Sequence, residues 1–558
     1  MLSVRMSRVF LKSLKIQNFG PIKDDIILFE DLTFLVGRNN AGKSHYLKAV
    51  ELLLTSGIRK DQVSKWQNDK STPIRIEGHF TGIEKFTSLV KNSNHKDSIE
   101  NAIKDRELTV VCDMEPDNIR QGILDEEGNV QNPTGFTGNL LKILPDVISI
   151  NAIADTVQEL SDKSNTALTK IKKEVMESFF QILSEKTKDA FAYLDEYLNS
   201  SDTTKRSPEI MGFEEDLRKE FMGEFENIVP SVEFGVPDEN VISKEMRILL
   251  DDGHKSEVEL KGNGLQRATL LALLKLLARN GKKYLDHPPP IFLIGELESF
   301  LHPYAQKQIA LALSKMKDTY QIITTTHSPF VINSETIEGY RRVTKTEKNG
   351  SKNFGGDLSN LDINLLKRHL EQRGNLEGLF ADRVILIEGK HDSGAFERFR
   401  TIFKIEYPKN RFTLFVRSDG SKNLRNSLKF YRLMGFDDVS ALSDLDYLFS
   451  NDIKHLFDTF ELDKTVTDRL RKSIGWTDKG DPPLEYVLGH YSNATGQDEF
   501  EKTLESLEKS RFFILKHGAP ESYYKNNKND KDGWKCLKDE TDLLEPNYLR
   551  GLMTELLK

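Results

Sequence analysis

The sequence predicts an α/β protein with two successive domains, and three observations support this fold class. A glycine-rich segment lies between an apolar strand and a helix at residues 37–44. A long polar, helix-like segment then interrupts the chain after about residue 150. Beyond residue 375, short apolar runs alternate with helical segments, which is typical of a parallel sheet with crossover helices.

Composition limits the possible classes of protein. The chain has 558 residues, of which 38% are hydrophobic and 30% are charged, so it can form several hydrophobic cores. Its 79 Lys and Arg residues are outnumbered by 87 Asp and Glu residues, and the formal charge of −8 excludes a uniformly basic nucleic-acid-binding surface. Two cysteines, Cys112 and Cys536, cannot form a disulfide framework or a cysteine-based zinc site. No apolar run reaches the roughly 18 residues of a membrane span, so we expect a cytoplasmic protein without membrane contact.

The first half carries a phosphate-binding loop. Residues 37–44 fit the pattern GxxxxGK[ST] between a predicted strand at 32–36 and a predicted helix at 43–54. In such a loop, glycines allow backbone N–H groups to surround the phosphates of ATP, and the helix N-terminus adds partial positive charge. Lys43 would contact the β- and γ-phosphates, and Ser44 would bind Mg²⁺. The candidate ATP-binding residues of the loop are Gly37, Asn40, Gly42, Lys43 and Ser44.

Three later segments resemble parts of ABC-type ATPases. The loop at residues 262–267 resembles the signature loop, which in that family contacts the γ-phosphate of a nucleotide held by a second ATPase unit. Residues 291–303 resemble the Walker B strand, with Glu296 at the position that polarises the attacking water. His327 follows an apolar run, where the family has a histidine that senses the γ-phosphate. Considered alone, the loop at residues 262–267 could be a plain helix N-terminus, and His327 could be a structural histidine. The candidate residues of the signature-like loop are Gly262, Gly264 and Gln266.

In this order, the four segments resemble the SMC/RecF-like branch of ABC ATPases. One position departs from the pattern of that branch, because Gly295 stands where an acidic residue normally supports Mg²⁺. Glycine cannot supply a carboxylate. The sequence therefore predicts ATP binding, while efficient ATP hydrolysis stays open.

The polar, helix-like text at residues 151–230 predicts a helical insertion within the ATPase domain. Its amphipathic faces favour self-association into a homodimer or higher homo-oligomer, although a solvated hairpin packed on its own domain fits equally well. The insertion divides the ATPase domain into parts at residues 1–150 and 231–345. A polar, glycine-bearing stretch at residues 344–360 predicts a boundary before the second domain, at residues 375–558.

The second domain places acidic residues after its apolar strands. Glu388 follows one apolar run, Asp392 comes one helical turn later, and Asp444 and Asp446 follow another run. The carboxyl ends of parallel strands meet at one edge of a sheet, and alternation along a strand points Asp444 and Asp446 to the same side. We therefore expect the carboxylates to converge, and hard oxygen ligands suit Mg²⁺ or Mn²⁺. Acidic strand ends that are merely solvated are the alternative.

This arrangement resembles the Toprim domain of topoisomerases, primases and some nucleases. Strand passage needs a nucleophilic tyrosine on another domain, and two cysteines cannot build the zinc module of a primase. Of the chemistries known for Toprim domains, metal-assisted phosphodiester hydrolysis therefore remains. A further strand-like run at residues 511–515 is followed by Lys516 and Glu521.

An SMC/RecF-like ATPase domain, a helical insertion and a Toprim domain in one chain together resemble the OLD (overcoming lysogenization defect) family of nucleases. The resemblance covers nearly the whole chain and implies a bacterial or phage setting, ATP and Mg²⁺ (or Mn²⁺) as cofactors, and DNA as substrate. It assigns Glu521 as a metal ligand and Lys516 as a transition-state cation by position. The residues implied as metal ligands are Ser44, Glu388, Asp392, Asp444, Asp446 and Glu521, and the residues implied as catalytic are Glu388, Asp392, Asp444, Asp446, Lys516, Glu521 and Glu296.

The sequence therefore predicts an ATP-regulated, divalent-metal-dependent DNA endonuclease or nickase, acting in anti-phage defence or DNA processing. Some family members act with a helicase and some are encoded beside a retron reverse transcriptase, so a partner of either kind is compatible with the resemblance. The alternative function is an ATP-dependent DNA-binding clamp or repair ATPase, in which the Toprim domain binds DNA or a partner without cutting.

Overall fold

The computed structural model describes residues 8–150, 192–221, 249–274 and 287–557, with gaps inside these ranges. The gaps are residues 56, 57, 59, 117, 126, 252, 258, 259, 263, 264, 267, 268, 271, 273, 297, 300, 373, 410, 419, 452, 454–464, 492–496 and 527–529. Much of the predicted insertion, and Gly264, therefore lie outside the described residues. Within the insertion, residues 192–199 and Pro208–Phe221 are helical.

The strands, in chain order, are β1 (Phe10–Phe19), β2 (Ile22–Leu28), β3 (Leu32–Val36), β4 (Ile74–Thr81), β5 (Glu107–Met114), β6 (Ile119–Leu124), β7 (Val130–Gln131), β8 (Val147–Ile150), β9 (Leu249–Asp251), β10 (Lys255–Glu257), β11 (Ile291–Gly295), β12 (Gln321–Thr325), β13 (Tyr340–Thr346), β14 (Gly350–Phe354), β15 (Arg383–Ile387), β16 (Thr413–Arg417), β17 (Val439–Ser443) and β18 (Phe512–Ile514). The other α-helices are Lys43–Leu54, Lys60–Trp66, Ser93–Ala102, Phe136–Ile143, Pro303–Met316, Ile363–Glu371, Lys390–Ile402, Ser421–Leu433, Thr465–Ser473, Leu484–Tyr491, Gln497–Lys509 and Pro546–Leu557. Short 3₁₀ helices span Ile83–Lys85, Thr87–Leu89, Ser334–Gly339, Leu376–Phe380, Leu445–Phe449, Pro520–Tyr523, Gly533–Cys536 and Glu540–Asp542.

The chain divides into two compact units. The first unit comprises residues 1–146, 284–289 and 321–558, and the second comprises residues 147–283 and 290–320. Among the residues that the structure describes, no helix combines the length and apolar character needed to cross a lipid bilayer.

In the first unit, β3 is the central strand of the predicted ATPase domain. It runs parallel to β12 on one side and to β13 on the other, and every one of its residues is buried. Burial on both faces explains why its sequence is a continuous apolar run. The remaining strands of this sheet follow antiparallel, in the order β7-β6-β5-β4-β1-β2-β14-β13.

The β13–β14 hairpin extends the ATPase sheet into the polar stretch at residues 344–360. Its paired residues run from Arg342 opposite Phe354 to Thr346 opposite Gly350, and Gly350 also pairs with Ile22 of β2. Several of its residues face solvent, which explains the polar sequence. The sheet therefore continues to Phe354, past the predicted end of the ATPase domain at residue 345.

The second unit contains two separate strand pairs. β8 and β11 are parallel neighbours, with Val147 opposite Ile291, and both strands are apolar and largely buried. β9 and β10 form an antiparallel pair. The helix Pro303–Met316 follows β11 and begins with a proline in its first turn, where a missing N–H group costs no hydrogen bond.

The second predicted domain contains a four-stranded, fully parallel sheet in the order β16-β15-β17-β18. Helices Lys390–Ile402 and Ser421–Leu433 make the first two crossovers, as the alternating sequence pattern predicted. Ile387 lies opposite Leu442, so β15 and β17 end at the same edge.

One hydrophobic core joins this sheet to the helix Pro546–Leu557. Ile385 and Ile387 of β15 belong to the same buried cluster as Leu549 and Leu552 of that helix. Arg383, at the start of β15, is fully buried, and its Nη2 donates a hydrogen bond to the carbonyl oxygen of Leu556. The helix is therefore an integral part of the domain and not a surface appendage.

Candidate active site

The phosphate-binding loop lies between β3 and the helix Lys43–Leu54, as predicted. Lys43 is buried, and its Nζ donates hydrogen bonds to the carbonyl oxygens of Gly37 and Arg38 at 2.9 and 2.8 Å. Ser44 is exposed in the first turn of the helix, where unpaired N–H groups and the helix dipole favour an anion. The loop therefore has the features of a site for nucleotide phosphates. It lies between a strand and a helix N-terminus, and it carries an ammonium group and a hydroxyl group.

Two positions in the loop require glycine. Gly37 has a φ of 140°, and a Cβ atom there would lie 2.3 Å from the carbonyl oxygen of Val343. Gly42 has a φ of 104°, and a Cβ atom there would lie 2.4 Å from Oγ of Ser351. The same Ser351 hydroxyl donates a hydrogen bond to the carbonyl oxygen of Ala41 at 2.6 Å. The β13–β14 hairpin therefore supports the loop directly.

Two other predicted ATPase residues follow buried strands. β12 ends at Thr325 beside β3, so the half-buried His327 and the phosphate-binding loop follow neighbouring parallel strands of the first unit. In the second unit, Gly295 is the last residue of β11, and Glu296 follows it with a left-handed φ of 40°. Their roles with nucleotide remain predictions.

The predicted signature-like loop begins a helical turn in the second unit. The carbonyl oxygen of Gly262 accepts hydrogen bonds from the N–H groups of Leu265 and Gln266 at 2.9 and 3.1 Å. Gln266 is buried, and its Nε2 donates to the carbonyl oxygen of Lys261 at 2.8 Å. Of this loop, Leu265 and Gln266 are described as helical, in agreement with the predicted helix start, and contact with a nucleotide remains a prediction.

Acidic side chains gather at the carboxyl edge of the four-stranded sheet. Glu388 directly follows β15, and its Oε2 accepts a hydrogen bond at 2.9 Å from Oγ of Ser443, the last residue of β17. Asp444 comes next in the chain. Asp392 lies in the first turn of the helix after β15, and its Oδ2 accepts the N–H of Gly389 at 2.7 Å. The ends of β15 and β17 therefore position Glu388 and Asp444, and the start of the helix Lys390–Ile402 positions Asp392.

Asp446 reaches this edge by a different path from the predicted one. β17 ends at Ser443, and Leu445–Phe449 is a 3₁₀ helix that begins after Asp444. Alternation along a strand therefore does not orient Asp444 and Asp446, because neither lies in a strand. The helical turn still leaves Asp446 half-buried and within electrostatic reach of Glu388.

Burial and mutual repulsion raise the pKa values of these carboxyls. Burial raises the pKa of Asp444 well above its ordinary value, and four neighbouring acidic side chains raise it further. Those neighbours are Glu388, Asp392, Asp446 and Glu521. Burial is also the main cause that raises the pKa values of the first three of these neighbours. Glu521, in the 3₁₀ helix after β18, therefore lies within electrostatic reach of Asp444, and its role as a metal ligand, which the family resemblance implies, remains a prediction.

The donor set of the cluster fits a hard divalent cation. Carboxylate oxygens are preferred ligands of Mg²⁺ and Mn²⁺, and a cation would relieve the repulsion that raises the pKa values. In the described part of the chain, no three acidic, histidine or cysteine side chains are arranged closely enough to hold a metal ion together. Mg²⁺ commonly binds through one or two carboxylates and keeps several waters, so an open cluster of this kind can still hold it.

The Lys516 side chain is paired with a carboxylate outside the predicted ligand set. Its Nζ forms an ion pair at 2.7 Å with Oε2 of Glu501, on the helix Gln497–Lys509. Its backbone N–H donates to the hydroxyl of Tyr548 at 3.1 Å. Lys516 follows β18, the neighbour of β17, so its backbone lies at the same sheet edge as the predicted ligands, and its ammonium group is paired with Glu501. Its role as a transition-state cation remains a prediction.

Two supporting hydroxyl groups were not predicted. Ser443 orients Glu388, from which it is separated by 55 residues, and Ser351 supports the phosphate-binding loop. For Ser443, its position directly before Asp444 was the feature of the sequence that could have indicated this role. For Ser351, whose partner Ala41 is separated by 310 residues, the sequence offers no local signal.

Two domain families match the chain. The family described as "AAA ATPase domain" matches residues 10–332, and the family described as "Overcoming lysogenization defect protein-like, TOPRIM domain" matches residues 379–446. The second match includes Glu388, Asp392 and Asp444. The predicted combination of an ATPase domain and a Toprim domain is confirmed by these matches.

Several curated proteins are similar over most of the chain. A protein named Old nuclease from Escherichia phage P2 is 24% identical over 463 residues, which are 79% of this chain and 78% of that protein. A protein named OLD nuclease from Thermus scotoductus is 26% identical over 408 residues, covering 68% of this chain and 72% of that protein. Endonuclease GajA from Bacillus cereus is 23% identical over 410 residues, covering 71% and 69%.

Proposed function

The chain belongs to the AAA ATPase domain family and carries an OLD-like Toprim domain, and from this we propose that it is an ATP-regulated, divalent-metal-dependent DNA endonuclease or nickase. The carboxylate cluster at the edge of the parallel sheet carries the proposal. Four acidic side chains lie within electrostatic reach of the buried Asp444, and binding of a divalent cation that assists phosphodiester hydrolysis would account for such a cluster. The names of the three relatives support the same activity.

The cluster would position its own ligands before an ion binds. The Ser443 hydroxyl holds one oxygen of Glu388, and the Gly389 N–H holds one oxygen of Asp392. Such supporting bonds fix the direction of the ligand lone pairs. When bound, Mg²⁺ or Mn²⁺ would supply the positive charge that stabilises a phosphodiester during hydrolysis. The proposed ligands are Glu388, Asp392, Asp444, Asp446 and Glu521.

Lys516 has a proposed role in charge stabilisation. It follows β18 at the same sheet edge, and a lysine beside a scissile phosphate stabilises the charge that develops there. We propose that it leaves Glu501 when DNA binds, because a phosphate oxygen is a comparable partner for an ammonium group.

ATP is the proposed regulator. It would bind the loop that contains Lys43 and Ser44, with Ser44 holding Mg²⁺. The signature-like loop at Gly262 and Gln266 would contact the γ-phosphate in a second copy, so a homodimer or higher homo-oligomer is proposed. Its proposed setting is anti-phage defence or DNA processing, since the similar nucleases come from a phage and from bacteria. A helicase or a retron reverse transcriptase as partner is also part of the proposal.

Supercoiled plasmid incubated with Mg²⁺ or Mn²⁺, with and without ATP, tests the proposal. Nicked or linear DNA is expected, and a chelator should abolish it. Asp444→Ala should lower the rate by about 100-fold or more, because a ligand is lost. Asp97→Ala, at an exposed position in the helix Ser93–Ala102, should cut like the wild type.

Two results would contradict this function. Tight DNA binding without cutting under every metal condition would support the clamp. Relaxed but closed circles would indicate a topoisomerase-like activity.

A further inference from the structure

We infer that Arg38 is a positioning residue that links nucleotide in the phosphate-binding loop to the carboxylate-bearing sheet, within one chain and through a contact with Asp382. The inference rests on the proposed regulation by ATP and deepens it. It assigns that regulation to one contact inside the chain, and not only to the association of two ATPase units.

The contact joins the two walls of a single cleft. Residues 37–41 of the phosphate-binding loop form one wall, residues 342–347 and 380–382 form the rest, and the cleft has a volume of about 720 Å³. Nη1 of Arg38 lies 3.2 Å from Oδ1 of Asp382. The Arg38 side chain is 62% exposed and that of Asp382 only 12%, so the arginine is the partner that is free to move.

Asp382 is fastened to the start of two strands of the parallel sheet. Its Oδ2 accepts the N–H of Phe412 at 2.7 Å, and its own N–H donates to the carbonyl oxygen of Phe412 at 2.9 Å. β15 begins at the next residue and ends directly before Glu388. Every residue of β15 is buried, so a shift at Asp382 is carried along a packed strand towards the carboxylate cluster.

A second arginine provides a fixed contact beside this movable one. Arg342 of β13 is buried, and its guanidinium donates to the carbonyl oxygens of Ala381 and Gly435 at 3.1 and 3.0 Å. The same guanidinium lies 3.5 Å from the ring centre of Phe436. These bonds join the ATPase sheet to the second domain without involving the phosphate-binding loop, and Arg342 also interacts electrostatically with Asp382. Arg38 can therefore change partner without separating the domains.

Nucleotide phosphates would compete for the groups that hold Arg38 in place. Lys43 Nζ donates to the carbonyl oxygens of Gly37 and Arg38, and a triphosphate would draw this ammonium away. A guanidinium also binds phosphate strongly, while the Asp382 carboxylate is repelled by it. Bound nucleotide should therefore weaken the ion pair. Because the arginine of this ion pair is largely exposed to solvent, breaking the pair should change the nucleotide affinity by no more than about fivefold.

Asp382→Asn tests the inference in the full-length protein. The amide removes the charge but can still accept the Phe412 N–H. We expect the affinity for Mg²⁺–ATPγS to increase by about two- to fivefold, because binding no longer has to break the ion pair. In wild type, nucleotide should change hydrogen exchange in peptides that cover residues 383–388 and 413–417. In Asp382→Asn this change in hydrogen exchange should fall to half or less. The rates of DNA nicking with and without nucleotide should also become more similar to each other than in the wild type.

Two further variants complete the experiment. Glu335→Gln breaks a comparable ion pair, with Lys367 at 2.7 Å, and should behave as wild type. Asp382→Glu keeps the negative charge and should retain the nucleotide response. If Asp382→Asn does not fold, a lost response in the folded Asp382→Glu protein would overturn the inference.

Unchanged nucleotide affinity together with an unchanged exchange response in Asp382→Asn would also overturn it. The exchange measurement needs no DNA cleavage. A protein that shows this coupling but never cuts DNA contradicts the proposed nuclease and not the coupling. A protein that cuts DNA with its full nucleotide response in Asp382→Asn contradicts the coupling alone.

Discussion

Asp444 shows how a single residue reports on the chemistry of the site. Its pKa is raised by burial and then by four other carboxylates, an arrangement that costs stability unless a cation or protons are present. A carboxyl with a higher pKa in the folded than in the unfolded protein stabilises the fold when protonated. That contribution is lost as the pH rises from the unfolded value, about 4, through the folded value.

This sign gives a prediction for the pH dependence of stability. Without divalent cations, the part of the protein around the cluster should be more stable at about pH 5 than at about pH 8. Mg²⁺ or Mn²⁺ should raise the melting temperature more at the higher pH, because ionised carboxylates bind the cation. Differential scanning fluorimetry measures both effects. Equal cation-induced shifts at the two pH values would contradict the prediction.

The hydroxyl of Ser443 gives a second prediction at this scale. Ser443→Ala removes the hydrogen bond to Glu388, so the carboxylate is no longer oriented before the ion arrives. We expect the affinity for Mn²⁺, measured by calorimetry, to fall about 10- to 100-fold. Ser440→Ala is the matched control, since Ser440 lies in the same strand but bonds Arg383. A similar loss in both variants would mean that the strand, and not the hydrogen bond, is responsible.

The positions of single site residues could be predicted from the sequence where the residue directly follows an apolar run. Glu388 and Asp444 could be found because they follow buried parallel strands, whose carboxyl ends share an edge. The partner of Lys516 could not be found in this way, because Glu501 reaches it from a separate helix. Contacts of that kind depend on the packing of helices around the sheet, which local sequence does not encode.

Among the structural elements, the β13–β14 hairpin has a role that its polar sequence conceals. It supplies Ser351 to the phosphate-binding loop and Arg342 to the contact with the second domain. β3 and the helix Lys43–Leu54 were predicted with their observed bounds because their apolar spacing is unambiguous. The strand β14 was not predicted because a half-exposed strand carries few apolar residues. The 3₁₀ helix Leu445–Phe449 was not predicted because, in sequence, a short helix directly after a strand resembles a continuation of that strand.

Ser351→Ala tests the support given by this hairpin. Losing the hydrogen bond to the carbonyl oxygen of Ala41 should loosen the loop and weaken ATP binding by about two- to tenfold. Fluorescence titration with a nucleotide analogue measures this. Ser98→Ala removes a comparable hydroxyl-to-carbonyl bond in the helix Ser93–Ala102 and should leave the affinity unchanged. An unaltered affinity in Ser351→Ala would show that the loop keeps its shape without the hairpin.

At the scale of the whole molecule, the order of motifs was more informative than any one of them. The ATPase-type loop upstream and the acidic strand ends downstream led to the combination of an ATPase domain and an OLD-like Toprim domain that the domain matches confirm. Most of the predicted insertion, to which self-association was assigned, lies outside the described residues.

Gly295 gives the prediction that concerns the ATPase cycle. The wild-type protein should hydrolyse ATP slowly, and Gly295→Asp should raise turnover about tenfold or more by restoring a carboxylate beside Glu296. Gly295→Asn, of the same size but uncharged, should not. Steady-state phosphate release measures all three proteins. Fast wild-type turnover that Gly295→Asp leaves unchanged would show that another residue supports Mg²⁺.

The helix Pro546–Leu557 has a consequence for biosynthesis. Its leucines complete the core under β15, and its Leu556 carbonyl oxygen receives the buried Arg383 side chain. The strand that carries Glu388 thus stays without its full packing until residue 557 has left the ribosome. A chain truncated before residue 546 would lose these contacts. The proposed metal ligands that follow β15 and β17 would then be held less firmly, even if the phosphate-binding loop still formed.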